Sequence, residues 1–200
     1  MKILYRSELE FKLLALNKIR SLIKSKLVKN IIIPGGHSLK RVTKSLIKSY
    51  QHNRKIKFVL SDERIVANKL FQNSQPYRKY FQKHLRANRI YVFNISALRK
   101  VSNIYSKLLA DTAKSIAILG VGDDGHIAGI FENQCCYSRK LSFFRNMDQN
   151  GIERISIPIS ILSSLAYRYA YISNGKMNAL NNKKSPIYLY NPNTVYSSSY

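Results

Sequence analysis

The feature that most constrains this chain is the stretch from Ile116 to Phe131. There an apolar run, Ile116-Ala117-Ile118-Leu119, breaks into the glycines Gly120 and Gly122, then Asp123, Asp124, Gly125 and His126, and returns to apolar residues. The pattern reads as a buried strand, a tight loop and a helix start. In an open parallel α/β sheet, that junction is where the chemistry sits. Glycines let the backbone turn sharply and come close to a ligand, and His126 can take or give a proton near neutral pH.

The rest of the chain supplies a frame for this junction. Ile31-Ile32-Ile33 and Ile56 to Leu60 are short and almost wholly apolar, as strands buried on both faces must be. Ile90 to Phe93, Arg154 to Ile159, Tyr167 to Ile172 and Ile187 to Tyr190 read as further strands. Helical periodicities lie between them. From Ser7 onward Phe11, Leu14, Ile19, Leu22 and Ile23 share a face, and Ser7 with Glu10 forms a capping box. Leu39, Val42, Leu46 and Tyr50 mark a second helix with Ser38 as its N-cap, and Tyr77 to Leu85, Leu98 to Leu109 and Pro158 to Leu165 mark three more. Lys176 stands at a further helix start, after the turn Ser173-Asn174-Gly175. This alternation predicts an α/β fold with a doubly wound, mainly parallel sheet and helices on both faces, Rossmann-like, in a single domain over residues 1–200. Glu132 to Gly151 has weak periodicity and reads as loop. The polar end, Asn191 to Tyr200, closes on a serine run expected to fray.

Charge follows the same logic. The chain has 10 acids, yet Asp62, Glu63, Asp123 and Asp124 fall in two adjacent pairs, each just after an apolar strand. Turn chemistry explains one Asp at a strand end more readily than two pairs with Arg64 beside one of them. After Ile33, the loop Pro34-Gly35-Gly36-His37-Ser38 leads into a helix whose first turn carries Lys40 and Arg41. The helix dipole disfavours cations there by about 0.3–1 kcal/mol each. A bound anion reverses that sign, and free N–H groups of a glycine loop at a helix start form an anion site.

These segments carry a family resemblance. Gly120-Val121-Gly122-Asp123-Asp124-Gly125-His126 resembles the Gly-x-Gly-x-Asp-Gly-His signature of the 6-phosphogluconolactonases and the related glucosamine-6-phosphate deaminases. Pro34-Gly35-Gly36-His37-Ser38 is similar to the Gly-Gly-Ser-Thr phosphate loop of that superfamily, and Ser61-Asp62-Glu63-Arg64-Ile65-Val66 to the lactonase Asp-Glu-Arg-x-Val. Weaker similarity at Arg154 to Ile157 and Ser173 to Lys176 extends the match over residues 30 to 196. The resemblance implies hydrolysis of 6-phospho-D-glucono-1,5-lactone to 6-phosphogluconate, a step of the oxidative pentose phosphate pathway, with no metal and no cofactor. It implies His126 as general base and Asp124 or Asp123 as the group holding its imidazole, Asp124 being the one that aligns. Gly35, Gly36, His37 and Ser38 then donate to the phosphate, Arg154 and Lys176 neutralise it, and Arg64 adds charge or orients the sugar. Asp62 and Glu63 support the site, and N–H groups near Gly125 and Gly36 face the oxyanion.

A deaminase of the family would show Asp-Glu-Tyr and, after the histidine segment, Asn-Glu-Pro. Here Arg64 and Gly129-Ile130-Phe131 resemble the lactonase version, while Glu132 fits the deaminase pattern. The chain also departs from the lactonases. His37 stands at a loop Ser, Leu39 replaces a proline, Asn73-Ser74 inverts a Ser-Asn, and the C-terminus is short for the family.

Composition bounds the partners. Net charge is +24, and residues 1–100 hold 24 of the 34 Lys and Arg but 4 of the 10 acids, so +20 of it lies there. Such a field attracts anionic substrates or nucleic acid. Lysines on solvated helix faces account for it more simply, and no RNA-binding aromatic motif is visible. A sugar phosphate is therefore the expected partner. A degenerate scaffold binding nucleic acid through its basic N-terminal half is the alternative, and steep salt dependence would mark it. No run of about 18 apolar residues offers a membrane span, and Met1 to Arg6 opens with too short an apolar stretch for a secretory signal, so a cytoplasmic location is expected. Cys135 and Cys136 are adjacent, which suits neither a disulfide framework nor spaced metal ligands, and reduced thiols are expected.

Overall fold

The computed structural model describes residues 2–5, 7–35, 39–87, 89–132 and 143–197. Gly36, His37 and Ser38, with the N-cap expected at Ser38, lie outside the described residues, as do Cys135, Cys136 and the positions after Ser197.

Ten strands and seven α-helices are described. The strands are β1 (Lys2–Tyr5), β2 (Asn30–Ile33), β3 (Lys57–Leu60), β4 (Asp62–Arg64), β5 (Ile90–Tyr91), β6 (Ser115–Gly120), β7 (Phe144–Met147), β8 (Glu153–Ser156), β9 (Tyr167–Ile172) and β10 (Thr194–Ser197). The helices are α1 (Glu8–Lys24), α2 (Lys40–Tyr50), α3 (Gln75–Tyr80), α4 (Gln82–Arg86), α5 (Leu98–Leu109), α6 (Ile159–Ser164) and α7 (Pro186–Tyr190). A 3₁₀ segment, Asn174–Leu180, carries Lys176. The Ser7–Glu10 capping box forms as the spacing implies and starts α1.

Seven strands make one parallel sheet in the order β1-β10-β9-β6-β2-β3-β5. Because side chains alternate across a strand, each central strand feeds two cores. Ile32, Val59, Ala117 and Leu119 face Tyr105 and Leu109 of α5, Leu162 of α6 and Ile187 of α7. Ile31, Ile33, Phe58, Leu60, Ile116 and Ile118 face Phe11, Ile19 and Leu22 of α1 and Val42 and Leu46 of α2. Burying each such side chain contributes about 1.5–3 kcal/mol. The fold is thus the doubly wound α/β arrangement that the alternation predicts.

The topology also places the site. From β2 the chain winds outward to β3 and β5, whereas β6, on the other side of β2, leads to β9 and β10. Successive connections therefore part between β2 and β6. The loops after these two strands flank the crevice that such a switch point opens. A second, antiparallel sheet, β4-β8-β7, closes over it and pairs Arg64 with Arg154.

Several elements differ from the sequence expectations, β1 and β4 among them, since they form where no strand is expected. Ile127 to Phe131 forms tight turns held by the Ile127–Ile130 pair, with no helix start. Phe144–Met147, read as loop, is a strand, because the small sheet gives it a partner in β8. Ile187–Tyr190, read as a strand, is helical: Pro186 occupies its first turn, and Ile187 and Tyr190, three residues apart, are buried while Leu189 points outward. The last strand is instead Thr194–Ser197, seated between β1 and β9.

Candidate active site

The loop after β6 is built around an imidazole. Asp124 Oδ1 accepts from the main-chain N–H of His126 at 3.1 Å and lies 2.6 Å from its Nδ1. This tight turn within three residues fixes the ring. With Nδ1 as donor to the carboxylate, Nε2 is left as the acceptor, the form a general base requires. Burial alone would raise the Asp124 carboxyl, but the hydrogen bonds from His126 outweigh it and bring it down to about 2. Gly122 is obligatory for this packing, since a Cβ there would lie 2.0 Å from the imidazole Nδ1. Gly125 adopts φ +79°, and its N–H is spent on the Gly122 carbonyl, so the expected oxyanion role does not fall to that group. Ala128, on the cavity wall, also has a positive φ of 56°.

Of the two loop carboxylates, Asp124 alone touches the imidazole. Asp123 is 80% exposed and reaches the other way, to Lys176 Nζ at 3.1 Å.

Asp62 and Glu63 separate into different tasks. Glu63 is fully buried and accepts from the N–H groups of Arg64, Asn73 and Ser74 at 2.8, 2.5 and 3.0 Å, which ties the segment before α3 to β4. Burial nevertheless pushes its carboxyl above the ordinary value. Asp62 accepts from Ser61 Oγ at 2.8 Å and Asn73 Nδ2 at 2.7 Å, and stands 3.6 Å from Arg154 Nη1. The expectation missed Asn73. Its side chain packs so closely on Gly35 that a Cβ on that glycine would lie 2.3 Å from Asn73 Cβ. The sequence signal was there, in the inverted Asn73-Ser74, but its meaning depends on this contact between segments far apart in sequence.

Arg64 and Arg154 face each other across β4 and β8. Like charges opposed in a sheet repel, and carboxylates offset that for one of them. Arg154 Nε and Nη2 donate to Asp148 Oδ2 at 3.1 and 2.9 Å, and its guanidinium lies 5.7 Å from the centre of the Phe131 ring, which also packs on His126. Arg64 has no such anchor: its Nε is buried with no hydrogen-bond partner among the described residues. Buried donors are rarely left so, and an orphan at a cavity wall suits an incoming acceptor.

These groups converge on one cavity of about 250 Å³, lined by Pro34 and Leu39 after β2, by Gly122, His126 and Ala128 after β6, and by Asp62, Arg64, Arg154 and Lys176. A smaller cleft of about 90 Å³ behind Arg64 has Lys40, Lys44 and Tyr77 in its walls but, among the described residues, neither imidazole nor carboxylate. The larger cavity therefore brings His126, Arg64, Arg154, Lys176 and Asp62 together, Asp124 stands directly behind the imidazole, and Glu63 belongs to the scaffold. Gly35 borders the smaller cleft.

An imidazole positioned by a carboxylate, facing three cations at the switch point of a doubly wound sheet, is chemically suited to act on a small anionic molecule. The family model of glucosamine-6-phosphate isomerases/6-phosphogluconolactonase matches residues 10–183, and the chain belongs to that family. No curated protein sequence matches it significantly. Among solved structures, 6-phosphogluconolactonase from Thermotoga maritima is similar at TM-score 0.74 and 20% identity, over 98% of this chain and 97% of that one. The Trypanosoma brucei 6-phosphogluconolactonase gives TM-score 0.76 and 16% identity over 98% and 95%. A monomeric glucosamine-6-phosphate deaminase gives 0.75 and 16% over 99% and 97%. At such identities the likeness establishes the shared fold.

Proposed function

We propose that this protein hydrolyses 6-phospho-D-glucono-1,5-lactone to 6-phosphogluconate. The observation that carries the reading is that His126, its Nδ1 committed to Asp124, lines the same cavity as Arg64, Arg154 and Lys176. Nε2 of His126 removes a proton from water as its oxygen attacks the lactone carbonyl carbon. The tetrahedral oxyanion then collapses, the bond from that carbon to the ring oxygen breaks, and the imidazolium returns the proton to the departing ring oxygen. The products are a carboxylic acid, which ionises, and a free hydroxyl. The phosphate sits against Arg154 and Lys176, with Gly35, Gly36, His37 and Ser38 as further donors and Arg64 supplying its orphan N–H.

The test is the disappearance of freshly generated lactone, followed against the spontaneous rate. The wild-type chain is expected to exceed that rate, and His126→Ala to lower kcat by about 10²–10⁴. A rate equal to the uncatalysed one sinks the reading.

Isomerising deamination of glucosamine 6-phosphate is the second reading, and one observation favours it: the Asp62 carboxylate lines the same cavity and could shuttle a proton between sugar carbons. Its acceptor capacity is drawn on by Ser61, Asn73 and Arg154, which weighs against a free base. Ammonia release from glucosamine 6-phosphate distinguishes the two.

A further inference from the structure

Asp148 lies outside the walls of the cavity, yet it governs a side chain that forms them. It sits at the turn between β7 and β8, and its two carboxylate oxygens do separate things. Oδ1 accepts from the N–H groups of Asn150 and Ile152, both at 3.0 Å, and thereby holds the turn. Oδ2 accepts from Nε and Nη2 of Arg154 and does nothing for the turn. Both side chains are almost fully buried, at 5% and 11% exposure, so the pair is poorly screened and its geometry well defined. Phe131 covers the guanidinium, and Nη1 is left facing Asp62 and the cavity.

We infer that Asp148 is a positioning residue for phosphate capture, its Oδ2 orienting the Arg154 fork so that the remaining N–H groups meet the phosphate oxygens. This rests on the phosphate-binding role proposed above for Arg154. A planar guanidinium recognises phosphate only when its edge is presented correctly. Held along one edge by a carboxylate, it cannot rotate about its stem, and Asp62 at 3.6 Å is too distant to fix it alone.

Charge and pose make opposite demands here, which gives the test its sign. Removing the Asp148 charge leaves Arg154 more positive, so a purely electrostatic role implies tighter binding of a phosphate dianion. A positioning role implies weaker binding. Asp148→Asn retains an oxygen for the turn N–H groups while placing an amide where Arg154 needs an acceptor. Binding of 6-phosphogluconate and of orthophosphate is measured by calorimetry for the wild type, D148N, R154K and the double variant, with thermal melting alongside. D148N is expected to raise both Kd values about tenfold or more, to raise KM with kcat within about twofold, and to melt near the wild type. R154K keeps the charge but lacks the fork, so the double variant is expected to bind no more weakly than R154K alone. Asp148→Glu keeps the charge and shifts the carboxylate by one methylene; it is expected to weaken binding likewise, and serves if D148N does not fold.

Unchanged or tighter binding in D148N, or additive losses in the double variant, overturns the inference. If wild-type chain binds 6-phosphogluconate and opens the lactone while D148N does both equally well, Asp148 has no such role and the lactonase reading stands. If the chain opens no lactone but binds orthophosphate with this Asp148 dependence, the lactonase reading falls and the positioning role stands.

Discussion

Gly122 shows how narrowly the imidazole is accommodated. The ring occupies space that any Cβ at that position would fill, with contacts of 2.0 Å to both Nδ1 and Cε1. Gly122→Ala is therefore expected to push His126 off Asp124 and cost kcat by about as much as losing the base, ~10²–10⁴. Its melting temperature is expected to fall only modestly, because the loop is at the surface of the core; a G122A chain with full activity would show that the ring has room to spare. The His126–Asp124 pair was legible in the sequence because its partners are two residues apart and the turn that joins them is local. Asp148 and Asn73 were not: Asp148 meets Arg154 only through the β7–β8 turn, in a stretch that reads as loop, and Gly35 is far from Asn73 in sequence.

Among elements, those with strong periodicity were the readable ones. α1 has its capping box, α5 runs over the residues expected, and β2, β3 and β6 are buried almost throughout. The failures were short segments in which two periods fit equally well. Four apolar residues at Ile187–Tyr190 suit a strand or one helical turn, and Pro186 with Ser185 before it decides for the helix. β7 escaped notice in part because it has no hydrophobic stripe, and one carboxylate ties the turn that joins it to the expected strand β8. Burial alone would raise the Asp148 carboxyl, but Arg154 and the N–H groups of Ile152 and Asn150 hold it below the ordinary range. A depressed folded value means that the folded chain binds this proton less readily than the unfolded one. Its contribution to stability is then complete above the unfolded value of about 3.9 and is lost as pH falls through the folded value. Hydrogen exchange at the Ile152 amide is expected to accelerate, relative to the central sheet, as pH is lowered below about 4, and to lose that extra pH dependence in D148N. Uniform protection down to global acid unfolding would contradict this.

At the scale of the molecule, charge is the dominant property. With a net +24 concentrated in the first half, and three cations on the cavity wall, the field favours the approach of a dianion such as the proposed lactone. The Debye length shrinks from about 30 Å at 0.01 M salt to about 8 Å at 0.15 M. kcat/KM for the lactone is expected to fall severalfold over that range with kcat nearly constant, and a flat profile would confine the useful charge to direct contacts. Among the described residues no helix is long and apolar enough to cross a membrane.

The neighbouring positions of β1 and β10 have a consequence for how the chain reaches this state. Lys2 aligns with Thr194 and Tyr5 with Ser197, so the first of the described strands waits for the last of them. Joining ends so far apart carries a large loop-closure entropy and slows the final step. During synthesis, β9 presents an open edge to other nascent chains until translation has nearly reached Ser197. Sealing that flank thus waits on the synthesis of Thr194–Ser197, and the yield of native protein depends on how long the rest of the sheet can wait.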